Sequence, residues 1–87
     1  MKPLAFKPNL STSENRKLRR EFTKHFAERL KEIRKEKHVT QQQLAERASL
    51  HITYIGHLET AKYHPTVFVV WKIAKALNVT IDSLTRG

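Results

Sequence analysis

The chain has 87 residues, none of them cysteine, with 39% hydrophobic residues and a formal net charge of +9. The length fits a single domain, and the lack of cysteine excludes disulfides and thiol chemistry. The sequence has neither a long apolar run nor a secretory signal, so we expect a cytoplasmic protein without a membrane partner. The positive charge indicates a polyanionic partner, with nucleic acid as the first candidate and a merely solubilising surface as the alternative.

Residues 1–12 contain two prolines and only scattered apolar side chains, which predicts an N-terminal arm without regular structure. Ser11 and Glu14 have the spacing of a capping box, so we expect a long, basic first helix from here to about Lys37. The first 38 residues hold 12 Lys and Arg against 5 Asp and Glu. The apolar side chains of this helix recur at helical spacing and should form its buried stripe: Leu18, Phe22, Phe26, Leu30 and Ile33.

Two short helices are predicted next. Thr40 and Gln43 repeat the capping-box pattern, which starts a second helix that ends near Ser49. A third helix covers about residues 51–60, with Ile55 and Leu58 facing the core.

Two further helices complete the chain. Thr66, which follows a proline, caps a fourth helix whose buried stripe should begin at Val67 and which stops at Asn78 in a left-handed conformation. Thr80 caps a short fifth helix with Ile81 and Leu84 facing inward. No strand pattern is present, so the sequence predicts an all-α fold of five helices, with an arm at 1–12 and one domain at 13–87.

Residues 41–60 have the pattern of a helix-turn-helix. Two short helices can pack closely across a tight turn only if the contact residue is small, and Ala45 meets this requirement. An ordinary helical hairpin inside another bundle is the alternative. The apolar residues fall where the motif buries them: Leu44, Ala48, Leu50, Ile55 and Leu58.

The chain resembles the helix-turn-helix family of the lambdoid phage repressors and Cro proteins, the Cro/CI or XRE type, which includes restriction-modification controller proteins. The resemblance covers about Phe26 to Leu84. It implies a five-helix lambda-repressor-like domain that binds double-stranded DNA as a transcriptional regulator. The implied assembly is a homodimer on a pseudo-palindromic operator. The matching segments are Thr40–Glu46, Tyr54–Glu59, Pro65–Thr66, Ala74–Val79 and Ile81–Leu84.

The resemblance implies that the third helix enters the major groove, which admits an α-helix and displays distinguishable base edges. Its glycine, Gly56, would let the backbone approach the DNA, although it weakens the helix by roughly 1 kcal/mol relative to Ala. Each histidine on this face has the alternative of a surface residue without a role. The implied base-reading residues are His51, Ile52, Thr53 and His57, with Thr60 at the edge.

The resemblance also implies phosphate contacts, which fix the register of the protein on DNA without reading sequence. Gln41 and Lys62 match such positions best, whereas a solvated surface is the alternative for Gln43 and Arg47. Arg34 and Glu59 are expected to form a structural ion pair, because a partly buried carboxylate needs a partner. The full set of predicted phosphate-binding residues is Gln41, Gln43, Arg47, Tyr54, Lys62, Tyr63 and His64.

The sequence departs from the family at several positions. Glycine is usual where His38, Ser49 and Ala61 stand, so these turns must be strained or differently shaped. The fourth helix has excess apolar surface that a second subunit or the arm, through Leu4, Phe6 and Leu10, should cover. The long first helix either flanks DNA phosphates or joins a dimer interface. The candidates for that interface are Phe68, Val69, Trp71, Ile81 and Leu84.

Other functions fit the sequence less well. A protein-interaction module, such as an antitoxin or anti-regulator, is the main alternative. A membrane-surface role for the first helix is disfavoured because Phe22, Phe26 and Leu30 are expected in the core. The five histidines lack a carboxylate cluster or the HExxH spacing of a zinc site, so we expect no enzyme, no metal and no cofactor.

Overall fold

The computed structural model describes residues 11–86. Within them the chain forms five α-helices and no strand, which confirms the predicted fold class: α1 (Thr12–Glu36), α2 (Gln41–Ala48), α3 (Ile52–Glu59), α4 (Val67–Leu77) and α5 (Ile81–Thr85). The predicted arm, with Leu4, Phe6 and Leu10, lies outside the described residues except for its last two positions. Ser11 caps α1 by accepting the Glu14 N–H at 3.1 Å, and Thr12 is already helical.

Local hydrogen bonds explain where the helices begin. The Thr40 hydroxyl accepts the Gln43 N–H at 3.0 Å, and the Gln43 side-chain oxygen accepts the Thr40 N–H at 2.9 Å, which completes the predicted capping box of α2. Thr66 and Thr80 cap α4 and α5 in the same way through their hydroxyls. Free backbone donors at these helix starts are thereby satisfied.

Four turns use residues with left-handed backbone conformation. Their φ angles are 56° at His38, 53° at Ser49, 61° at Ala61 and 56° at Asn78. A side chain in this region costs roughly 1–2 kcal/mol per residue relative to the right-handed form, with asparagine better tolerated than most. At the first three positions the related family usually has glycine. The chain therefore keeps left-handed turns there with residues that adopt this conformation at a cost in free energy.

One hydrophobic core joins all five helices. Ala45 is 3% exposed where α2 packs on α3, as the helix-turn-helix pattern requires, and Leu50 in the turn is partly buried against the same core. Side chains from every helix are fully enclosed, namely Phe26, Leu30, Leu44, Ile55, Leu58, Ile73 and Leu84.

The predicted burial is wrong at several helix ends. Leu18 and Phe22 continue the apolar stripe of α1 but are 51% and 39% exposed, because burial on this helix begins only at Thr23. Val67, in the first turn of α4, is 80% exposed, and Ile81 is also exposed at the start of α5. Leu84 is fully buried in the monomer, so it cannot belong to a dimer interface.

Candidate nucleic-acid interface

Except at His57, whose ring contacts Tyr63, the outer side of α3 is accessible to solvent. Its inner side, Ile55, Leu58 and Glu59, is buried. Ile52 and Thr53 are exposed at its start, and Thr60 is exposed at its end. Ile52, Thr53 and Thr60 are therefore accessible on a short, well-anchored helix and its C-cap, whereas His57 is half-buried.

His51 is the N-cap of α3. Its Nδ1 accepts the Thr53 backbone N–H at 3.1 Å, so this nitrogen carries no proton. The proton of the neutral ring then lies on Nε2, which becomes a hydrogen-bond donor. A donor at this position suits the N7 and O6 acceptors of guanine in the major groove.

Aromatic contacts fix the His57 side chain. Its ring meets the Tyr63 ring edge-on, with 4.9 Å between ring centroids, and Tyr63 also lies 6.2 Å from Tyr54. His57 and Tyr54 are half-buried, and burial raises the pKa of the Tyr54 hydroxyl above its ordinary value of 10.0. The Tyr54 hydroxyl is therefore protonated at neutral pH and can donate a hydrogen bond to a phosphate oxygen.

Thr60 and Gly56 have contrasting roles in α3. The Thr60 hydroxyl donates to the Gly56 carbonyl at 3.0 Å, so its proton is used within the helix and only its lone pairs face outward. A Cβ built on Gly56 meets no heavy atom within 4 Å. Nothing in the described part of the chain therefore requires glycine at position 56.

A buried polar network anchors the end of α3. Glu59 is 4% exposed, and its carboxylate accepts two hydrogen bonds from Arg34, at 2.5 and 3.0 Å. Arg34 also donates to the Val39 carbonyl at 2.8 Å, and the Gln41 side-chain amide donates to Glu59 at 3.0 Å. The network joins α1, α2 and α3, and it engages the side chain of a predicted phosphate-binding residue, Gln41, inside the protein.

The other predicted phosphate-binding residues on α2, Gln43 and Arg47, are both exposed, and of the two only Arg47 lies at the shallow cleft between α2 and α4. The Gln43 side-chain oxygen is used in the capping box, which leaves its amide N–H groups free. Arg47 is exposed and lines the cleft with Trp71, Lys72 and Lys75. Lys72, which the sequence reasoning missed, donates to the Ser49 carbonyl at 3.1 Å and so supports the strained turn before α3.

The loop after α3 carries three predicted phosphate-binding residues, Lys62, Tyr63 and His64, all exposed. The left-handed Ala61 reverses the chain, and the Lys62 N–H donates to the His57 carbonyl at 2.9 Å. This loop lies beside α1 and shares a groove with its first half. The sequence reasoning did not single out the α1 cations in that groove.

An apolar patch occupies the exposed side of α4. Phe68 is 63% and Trp71 46% exposed, and their rings stack at a centroid distance of 6.2 Å. The ammonium groups of Lys72 and Lys75 lie over these two rings, at 5.2 and 4.6 Å. Val69, a further candidate for a dimer interface, is half-buried against the core and contributes less surface.

Within residues 11–86 no group of three His, Asp or Glu side chains is arranged to hold a metal ion. In the same residues no helix has both the length and the apolar composition needed to cross a membrane.

Comparison with known proteins places these features in a family. Over 57 residues the chain is 37% identical to the immunity repressor protein of Bacillus phage phi105. This aligned segment covers 66% of the chain and 40% of that repressor. It is 38% identical over 58 residues to the control protein C.SmaI of Serratia marcescens, covering 67% of the chain and 69% of C.SmaI. The chain thus spans less than half of the phage repressor.

The fold is also similar to a solved structure. The restriction-modification controller protein C.AhdI of Aeromonas hydrophila superposes with a TM-score of 0.70 at 29% identity, covering 71% of this chain and 94% of C.AhdI. The profile of the family described as helix-turn-helix matches residues 30–84, nearly the stretch on which the resemblance was based. The chain therefore belongs to the helix-turn-helix family of the Cro/CI type.

Proposed function

We propose that the protein is a transcriptional regulator that binds double-stranded DNA sequence-specifically with α3 in the major groove. The observation that carries this proposal is the accessible outer side of α3, which is anchored from behind by Ile55, Leu58 and the Arg34–Glu59 ion pair. Its family membership and the names of its relatives, a phage repressor and a control protein, support the regulatory role.

Within this proposal the two sets of residues have different tasks. His51 and His57 offer hydrogen bonds to purine edges, while Ile52 and Thr53 pack against thymine methyl groups, and these contacts select the sequence. Lys62, Tyr63 and His64 contact phosphates, as do Tyr54, Gln43 and Arg47, and these contacts supply affinity that falls with salt. Gln41 contributes through its backbone N–H at the start of α2, because its side chain is bound to Glu59.

We further propose a homodimer that places two α3 helices on successive turns of the duplex, about 34 Å apart. Of the predicted interface residues, Phe68, Trp71 and Ile81 are exposed and Val69 is half-buried. A regulator of this kind would act in the cytoplasm on a pseudo-palindromic operator. The alternative, an antitoxin or anti-regulator, would use the same α4 patch to bind a different protein.

Selection from a library of random duplexes tests the proposal directly. The purified protein should enrich a motif with two related half-sites and should bind it more tightly than random DNA at the same salt concentration. Binding to no duplex at 50 mM salt, or equal binding to all sequences, would contradict sequence-specific regulation. Light scattering of the protein alone distinguishes a homodimer from a monomer that needs another protein.

A further inference from the structure

A groove runs between the first half of α1 and the loop that follows α3. Arg19, Arg20 and Lys24 line one wall, and Lys62 and His64 line the other, with Thr23 and Ala61 at the base. Among the described residues that line it, none is acidic. Four permanent positive charges therefore converge on one open groove next to the end of α3.

The charge on α1 is segregated along its whole length. At about 100° per residue, the five glutamates fall within an arc of about 80°, whereas eight of the nine Lys and Arg fall within a separate arc of about 160°. The exception, Arg29, pairs with Glu32 and donates to the Ser83 carbonyl of α5 at 3.0 Å. The glutamates are Glu14, Glu21, Glu28, Glu32 and Glu36, and the eight cations are Arg16, Lys17, Arg19, Arg20, Lys24, Lys31, Arg34 and Lys35.

The fold does not use the charges in the groove. The ion pairs found within residues 11–86 join Arg29 to Glu32, Arg34 to Glu59 and Arg86 to Asp82. Arg20 and Lys24 are exposed, and neither side chain makes a hydrogen bond to the described part of the chain. Like charges this close repel each other, so an anion bound between them would relieve the repulsion.

We propose that this groove binds the sugar-phosphate backbone of DNA outside the base pairs that α3 reads. This inference rests on the proposed function and deepens it. Lys62 belongs to both the α3 loop and the groove, so a strand that passes Lys62 on leaving the α3 contact continues along Arg20 and Lys24. The part of α1 that lines the groove, residues 19–24, is about 8 Å long, which matches about two phosphate steps of 3.4 Å along the duplex.

The double variant R20Q/K24Q tests the groove without changing α3 or Lys62. Glutamine keeps the helix propensity and removes two charges. The matched control is K31Q/K35Q, which removes two exposed charges at the same spacing from the second half of α1, outside the groove. Each protein is titrated with a fluorescein-labelled 30-bp duplex of arbitrary sequence between 50 and 200 mM salt, with circular dichroism melts and light scattering to verify folding and association state.

We expect R20Q/K24Q to reduce the slope of log K against log salt by about 1.8 if both contacts are lost, at about 0.9 per phosphate. At 100 mM salt this corresponds to a loss of affinity of about 8-fold for one contact and about 60-fold for two. The control should change the slope by less than half as much. Equal slopes for R20Q/K24Q and its control overturn the inference while leaving DNA binding by α3 intact.

A second measurement locates the contact on the duplex. An operator obtained by selection is trimmed to the base pairs that α3 reads, or extended by five base pairs of arbitrary sequence on each side. Wild-type protein should gain affinity from the extension, and R20Q/K24Q should lose that gain yet keep the preference for operator over random DNA. Loss of that preference in R20Q/K24Q overturns the inference, whereas a wild type that binds no duplex also refutes the proposed function.

Discussion

Replacing Gly56 with alanine adds one methyl group to α3 and should change protein stability and DNA affinity in opposite directions. Because the added Cβ meets nothing within 4 Å in the monomer, the variant should gain the difference in helix propensity, about 1 kcal/mol. For a domain of this size that gain raises Tm by roughly 4–8 °C. If α3 enters the major groove with Gly56 facing the bases, the same methyl group should weaken DNA binding at least about 10-fold, or about 1.4 kcal/mol.

Thermal melts followed by circular dichroism give the first quantity, and anisotropy titration of the selected operator gives the second. His38→Gly is the matched control, because it removes a left-handed side chain at the α1–α2 turn and should also stabilise the protein, while leaving the α3 surface unchanged. A Gly56→Ala variant that is more stable but binds the operator as tightly as wild type would show that the α3 backbone does not approach DNA. A less stable variant would refute the propensity argument.

Three further substitutions test the network, the reading residues and the interface. Arg34→Ala leaves a buried carboxylate without its cation and should lower the free energy of unfolding by about 3 kcal/mol or more in urea; a loss below about 1 kcal/mol contradicts this. His57→Ala should relax base preference at one position in a selection experiment. Lys62→Ala should instead weaken binding to operator and random DNA alike and lower the slope of log K against log salt by about 0.9. If each substitution weakens operator and random DNA equally, the proposed division of roles is wrong. Phe68→Ser should shift a dimer toward monomer in light scattering while the helical circular dichroism spectrum is kept, because the ring is exposed and does not belong to the core of the monomer. An unchanged association state would show that this patch is not the dimer interface.

The helix starts were predictable because their signals are local. Thr40, Thr66 and Thr80 each bind a backbone N–H three residues ahead, so residue type and spacing suffice to find them. The left-handed end at Asn78 also follows from residue type, whereas at Ser49 the family resemblance left open a strained or a differently shaped turn. These elements needed no knowledge of what packs against them.

Burial could not be predicted as well, because it depends on which partners reach each side chain. The 25 residues of α1 extend about 38 Å, whereas α4, the next longest helix, has 11 residues and extends about 16 Å. Leu18 and Phe22 keep the periodicity of the stripe but lie beyond the reach of the other helices. The predicted burial of Val67 and Ile81 is wrong for a related reason, because each lies in the first turn of its helix, which extends beyond the hydrophobic core.

The candidate site was predictable only in part, since several of its contacts join residues far apart in the chain. Periodicity and family resemblance point to the outer side of α3 and to the Arg34–Glu59 pair. They do not reveal that Gln41 is the third partner of Glu59, or that Lys72 supports the Ser49 turn. The charge segregation of α1 is visible in the sequence, but which loop its cationic side faces is not.

The Arg34–Glu59 network explains how a small, strained domain can hold α3 in a defined orientation. Left-handed residues lie in the turns on both sides of α3, at Ser49 and Ala61, so the backbone itself favours some rearrangement there. Glu59 opposes this, because moving α3 would separate a carboxylate that is 4% exposed from the guanidinium that compensates it. The network thereby holds the outer side of α3 in a fixed position, which under the proposed function would lower the ordering cost of binding DNA.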